Sequence, residues 1–116
     1  MKQTRNLFLA FTLSAALYSC GSGSFKEEAF YVRGNCEMCK DRIETGVQAI
    51  NGVQSAVYNV NKEALNVIYD TIKVDRIKIE NTCADLGHST ELVRRNEKNH
   101  ADLPECCQES QKEGKH

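Results

Sequence analysis

The chain has 116 residues, with 15 basic against 16 acidic side chains, a net charge of −1, six cysteines, one proline and no tryptophan. That length holds one small domain with ends to spare. With no basic surplus to meet a phosphate backbone, the composition argues against nucleic acid as a partner.

Met1 to Cys20 reads as a targeting segment. Lys2 and Arg5 give a short basic start, and Leu7 to Leu17 is an apolar run broken only by Thr12 and Ser14. Such a run is too short for a spanning helix, which needs about 20 apolar residues, and it fits the core of an export signal. It closes on Leu17-Tyr18-Ser19-Cys20, which resembles a bacterial lipobox. The expectation is a lipoprotein-type signal peptide over residues 1–19, lipidation at Cys20, and an exported chain held by its lipid on the periplasmic side of a bacterial membrane. Residues 20–28, opening on Gly21-Ser22-Gly23-Ser24, read as a tether. Taking 1–19 away leaves 97 residues and, without Lys2 and Arg5, 13 basic against 16 acidic groups, a net −3.

The body alternates between two periodicities. Phe30-Tyr31-Val32-Arg33 predicts a short strand. From Cys39 on, Ile43, Val47 and Ile50 fall at i, i+4 and i+7, the apolar face of a helix that stops at Asn51-Gly52. Val53 to Val60 predicts a strand with Ala56, Tyr58 and Val60 on one face. After a turn at Asn61-Lys62-Glu63, Leu65, Val67 and Tyr69 alternate on the next strand. Ile79, Cys83 and Leu86 then mark a second helix ending at Gly87, with Ile72 and Asp75 or Arg76 a turn or two earlier. His88 to Arg94 predicts a last strand. The order βαββαβ is the ferredoxin-like α+β sandwich, in a single small domain.

Five cysteines besides Cys20 sit unevenly, at 36 and 39, at 83, and at 106 and 107. Outside the cytoplasm an odd count leaves at least one free thiol. Cys36 and Cys39 stand at Cys-x-x-Cys spacing where a strand gives way to a helix, so both thiols can converge on one ion while the positive end of the helix dipole offsets their charge. The spacing alone is shared by redox centres, zinc sites and metal carriers.

Context selects among these. Val32-x-x-x-Cys36-x-x-Cys39 leading into Ile43, Asn51-Gly52-Val53 after the first helix, Tyr69-Asp70 closing the third strand and Leu86-Gly87 before the last resemble, in this order, the heavy-metal-associated domain of copper chaperones, copper-pumping ATPases and periplasmic mercury-binding proteins. The resemblance covers residues 29–95 and implies a ferredoxin-like carrier, not an enzyme. Cys36 and Cys39 are its metal thiolates, Cu(I) is the first choice of ion with Hg(II) and Zn(II) as alternatives, and the ion passes by ligand exchange to a metal-transport ATPase, a transporter or another metal-binding protein. The family pattern has Gly-Met-x-Cys where this chain has Gly34-Asn35-Cys36, one residue shorter and without the methionine that anchors the loop. Two thiolates without a compulsory third ligand suit a d¹⁰ ion of low coordination number, whereas structural Zn(II) takes four ligands.

Of the remaining candidates, Cys83 lies on the apolar face with Ile79 and Leu86 and reads as a core thiol. Met38 is a loop side chain facing solvent or a partner. His88, after Gly87, resembles the histidine that some bacterial copper chaperones place beside the metal loop, and is a further candidate ligand. From Asn96 on, only Ala101 and Leu103 are apolar beside the cysteines, so residues 96–116 read as a flexible tail. Cys106 and Cys107, with His100, are candidates for a second soft-metal or thiol-exchange site that folds back on Cys36 and Cys39. The competing class is an exported thiol-disulfide redox protein, but no tryptophan precedes the motif and the only proline, Pro104, lies in the tail.

Overall fold

The computed structural model describes residues 24–108. The expected signal peptide of residues 1–19, the lipidation site Cys20, the tether up to residue 23 and residues 109–116 lie outside the described residues. In chain order the elements are β1 (Phe25–Tyr31), α1 (Glu37–Gln48), β2 (Val53–Asn59), β3 (Ala64–Asp70), α2 (Arg76–Asp85), α3 (Glu97–Ala101) and α4 (Glu105–Gln108). The strands form one antiparallel sheet in the order β1-β3-β2. β1 pairs with β3 from Phe25↔Asp70 to Tyr31↔Ala64, and β2 with β3 from Val53↔Tyr69 to Asn59↔Ala64. This is the ferredoxin-like α+β sandwich.

The two periodicities build one core between the sheet and its helices. Alternate residues Ala56 and Tyr58 of β2, and Leu65, Val67 and Tyr69 of β3, are buried against Ile43 and Val47 of α1 and Ile79 and Cys83 of α2. Each such large apolar side chain contributes roughly 1.5–3 kcal/mol on burial. α2 is started by Asp75, whose carboxylate accepts from the Lys78 N–H at 2.9 Å, and it ends before Gly87, which holds φ 102. Cys83 is fully buried, and burial followed by the charge of Glu80 pushes its thiol up to about 12. Ile72 does not extend the helical face: it sits in the turn before α2, 73% exposed.

Three expectations need correction. β1 begins at Phe25, inside the stretch read as tether, because ladder hydrogen bonds to β3 hold its polar half. Glu28 also accepts from the Tyr69 hydroxyl and pairs with Lys26. The last strand shrinks to a single bridge, Val32↔Thr90. The chain still runs beside β1, with the Arg33 N–H donating to the Ser89 carbonyl and the Glu91 N–H to the Tyr31 carbonyl. At Thr90, however, it turns: the Thr90 N–H donates to the Val93 carbonyl, and the buried Glu80 carboxylate accepts from the Thr90 hydroxyl at 2.6 Å and the Leu92 N–H at 2.8 Å. Anchoring on that carboxylate ends the ladder.

The third correction concerns residues 96–108, which are folded rather than a free tail. A helix leaves its last carbonyls without intrahelical donors, and α3 supplies donors to the end of α2. The Asn96 N–H donates to the Ala84 carbonyl at 2.8 Å, Asn99 Nδ2 to the Asp85 carbonyl at 2.6 Å, and His100 Nδ1 to the Gly87 carbonyl at 3.0 Å. A Cβ on Gly87 would stand 2.9 Å from His100 Cα, so glycine there serves both the turn and the docking. Leu103 and Cys107 are buried in the core cluster. Among the described residues no helix is long and apolar enough to cross a membrane.

Candidate metal centre

Cys36 and Cys39 are placed by the first turn of α1. Cys36 is its N-cap, with extended backbone at φ −149, and its carbonyl accepts from the Lys40 N–H at 3.1 Å. Cys39, three residues on, is fully buried, while Cys36 is partly buried. Their sulfurs are 3.5 Å apart. Both stand at the N-terminal end of the twelve-residue α1, where the helix dipole is positive.

The loop carrying Cys36 lacks the methionine anchor of the family pattern, and other residues hold it. The Tyr58 hydroxyl donates to the Val32 carbonyl at 2.8 Å. His88 Nδ1 donates to the Arg33 carbonyl at 2.9 Å. A Cβ on Gly34 would stand 2.6 Å from the Tyr58 oxygen, so the loop lies directly on the ring. Burial raises the Tyr58 hydroxyl above its ordinary range, keeping it a donor at any physiological pH.

His88 is 2% exposed. Because its Nδ1 must carry the proton that a carbonyl accepts, its unprotonated Nε2 is buried without a hydrogen-bond partner. Burial, countered by that carbonyl and reinforced by Arg42, His100 and Arg95, brings the imidazole down to about 4, so it is neutral. It is not among the side chains whose ligand atoms converge on one point.

The converging group is Cys36, Cys106 and Cys107, whose sulfurs all lie within 4.8 Å of one another. Cys107 Sγ is 3.7 Å from Cys36 Sγ. Cys106 is joined to Cys36 as a disulfide, Cα to Cα 6.3 Å, and its carbonyl accepts from Asn35 Nδ2 at 3.0 Å. Cys39, Cys83 and Cys107 are free thiols. Burial, then the neighbouring Cys39 thiol, push Cys107 upward against the pull of Arg42. The structure therefore brings four of the sequence-derived cysteines together and leaves Cys83 in the core. His100 faces Gly87, not the sulfurs. Met38 is 52% exposed beside the pair. The residues missed from sequence are the supports of the loop and tail: Tyr58, Asn35, Asn99 and Leu103. Only the Asn96-x-x-Asn99 spacing, a helix start, hinted at them; the Asn96 side chain accepts from the Asn99 N–H at 3.0 Å.

Residues 30–89 match the model of the heavy-metal-associated domain. The solved structure of the CopZ metallochaperone superposes with a TM-score of 0.55 and 30% identity, covering 56% of this chain and 98% of its own. The water-soluble region of the P-type ATPase CopA from Bacillus subtilis gives 0.56 and 35%, covering 59% of this chain and 46% of that one, so the chain spans about half of that region. Oxidized MerP from Ralstonia metallidurans CH34, at 0.56 and 19% identity over 59% of this chain and 96% of its own, shares the fold. A search of curated protein sequences yields no match.

Proposed function

The chain belongs to the heavy-metal-associated domain family, and on that premise we propose that it binds Cu(I) between Cys36 and Cys39 and passes it to a thiolate-bearing partner by ligand exchange. The observation that carries this reading is the 3.5 Å separation of the two sulfurs at the mouth of α1. Soft thiolates select Cu(I) and its like over hard cations. Two ligands leave the ion approachable: a partner's thiolate adds, a three-coordinate intermediate forms, and one of the first thiolates leaves. The chain is thus a carrier. Relatives in this fold include a metallochaperone and a P-type ATPase region, which supports a metal-transport ATPase, a transporter or another metal-binding protein as the partner. Hg(II), another soft ion suited to two thiolates, is the second choice and Zn(II) the third. His88 acts in this reading as a brace for the loop.

Competition with a chromophoric Cu(I) chelator tests the assignment. Cys36→Ser and Cys39→Ser each lose tight binding and keep the fold; wild-type affinity in either variant would overturn it. The anchoring expectation joins the proposal: acylated Cys20 holds the domain close to a bacterial membrane on its periplasmic side. Only Gly21 to Ser24 separate Cys20 from β1, a reach of about 14 Å when extended. Labelled palmitate entering the wild type but not Cys20→Ser is the expected result, and incorporation into both would sink it.

The Cys36–Cys106 disulfide beside free Cys39 and Cys107 favours one second reading, thiol-disulfide exchange in an exported protein. Insulin reduction by the chain, with no Cu(I) competition, would select it over the carrier.

A further inference from the structure

The carrier reading uses two sulfurs, yet the fold assembles four at one place. Cys36 Sγ is the hub: it lies 3.5 Å from Cys39 Sγ on one side, and on the other it shares with Cys106 and Cys107 a group of sulfurs all within 4.8 Å of one another, Cys107 Sγ being 3.7 Å away. This meeting spans about 70 residues of chain, since Cys36 and Cys106 are separated by 70 positions. It is built by specific contacts. α3 is clamped to the last carbonyls of α2 through Asn96, Asn99 and His100. Leu103, 6% exposed, enters the core, and the Cys107 N–H donates to the Pro104 carbonyl at 2.9 Å, closing α4 so that Cys107 is only 2% exposed. Asn35, next to Cys36, reaches across to the Cys106 carbonyl. A frayed end with incidental thiols would make none of these contacts.

We propose that α4 is a cap in cis: once an external dithiol has reduced the Cys36–Cys106 disulfide to two thiols, itself closing to a disulfide, a thiolate of α4 joins Cys36 and Cys39 around one soft d¹⁰ ion, completing a three-sulfur site that an acceptor opens by displacing α4. The proposal rests on Cys36 and Cys39 being the primary pair. α4 occupies the place that an acceptor's thiolate needs in the three-coordinate intermediate. Unloading then begins with one thiolate for another: the acceptor thiol gives up its proton and bonds to the ion as the α4 sulfur leaves and takes up a proton, with no change in the ion's oxidation state, and further acceptor thiolates displace Cys36 and Cys39 in the same way. The third sulfur holds the ion against loss until a thiol acceptor arrives.

The test uses the full chain, anaerobic and reduced with a phosphine, loaded with one equivalent of Cu(I). X-ray absorption is expected to count three sulfur neighbours in the wild type and two in the Cys106→Ser/Cys107→Ser variant. The variant's affinity should fall roughly 10-fold or more, on the scale of removing a group that supports a metal site. Two sulfurs and equal affinity in both proteins would overturn the cap. A second measurement needs no variant: in the loaded wild type, iodoacetamide followed by peptide mass mapping should spare one cysteine of the 106–107 pair along with Cys36 and Cys39. Alkylation of both Cys106 and Cys107 at the metal-free rate, with Cys36 and Cys39 protected, would overturn the cap and leave the primary pair standing. Alkylation of Cys36 and Cys39 in the loaded chain would instead defeat the carrier reading itself.

Discussion

Leu103→Ala isolates what holds the cap in place. The substitution removes three carbons from a side chain only 6% exposed, in contact range of Gly87 and part of the core cluster. At about 0.8 kcal/mol per buried carbon group the loss is about 2.4 kcal/mol, before any cavity left behind adds to it. Because α3 and α4 dock on the end of α2, the penalty falls on local opening of residues 96–108 rather than on the sheet. Cys107, buried at 2% exposure, reacts only when that segment opens. With 1.4 kcal/mol per factor of ten, the opened fraction rises about 50-fold. In reduced, metal-free protein, where the disulfide no longer holds the segment, the iodoacetamide rate at Cys107 should rise by that factor. The denaturation midpoint of the domain should move less than 2.4 kcal/mol implies. An unchanged rate at Cys107 would refute the claim that Leu103 seats the cap.

Three further outcomes follow from named groups. Oxidised chain, with Cys36 tied to Cys106, should not compete for Cu(I) until a reductant restores both thiols, and equal binding in the two states would contradict the role of Cys36. Cys83→Ala should cost on the order of 1 kcal/mol in chemical denaturation, since the thiol is fully buried, with Cu(I) affinity unchanged; a large affinity loss would make it a ligand. His88 is held down at about 4, chiefly by burial, against an ordinary 6.5. The unfolded chain binds this proton first, so the stability His88 carries is whole above about 6.5 and is lost as pH falls toward 4, at up to about 1.4 kcal/mol per pH unit. His88→Asn, which keeps a donor for the Arg33 carbonyl, should flatten this acid limb, and an imidazole NMR titration near 6.5 in wild type would contradict the burial argument.

The parts of the fold legible in the sequence are those whose burial follows a period. Ile43 and Val47, Ile79 and Cys83, Ala56 and Tyr58, and Leu65, Val67 and Tyr69 all face the core where their spacing puts them. The parts that escaped are held by hydrogen bonds without periodic apolar residues. Phe25 to Ala29 join the sheet through backbone pairing with β3. Leu92 and Val93 look like strand residues, yet the buried Glu80 carboxylate captures Thr90 and the Leu92 N–H and turns the chain; Leu92 is left 63% exposed. At the candidate site the Cys36 and Cys39 pair was plain from its spacing and place before a helix. That Cys106 and Cys107 reach it depends on the Ala84 and Asp85 carbonyls at the end of α2 accepting from Asn96 and Asn99, a long-range match that neither segment reveals by itself. His88 lies where the fold puts it, beneath the loop, but its proton points at the Arg33 carbonyl and its free nitrogen lies outside the sulfur cluster.

Transfer without release is the central claim, and one measurement reaches it directly. Cu(I)-loaded chain, reduced and anaerobic, is mixed with a metal-free acceptor domain bearing its own Cys-x-x-Cys pair, the two are separated by anion exchange at timed intervals, and copper is assayed in each. The rate is set beside that of Cu(I) loss to a chromophoric chelator lacking thiols. The account predicts that copper reaches the acceptor far faster than it dissociates, at a rate that rises with acceptor concentration. Copper that moves only at the dissociation rate, whatever the acceptor concentration, would contradict it.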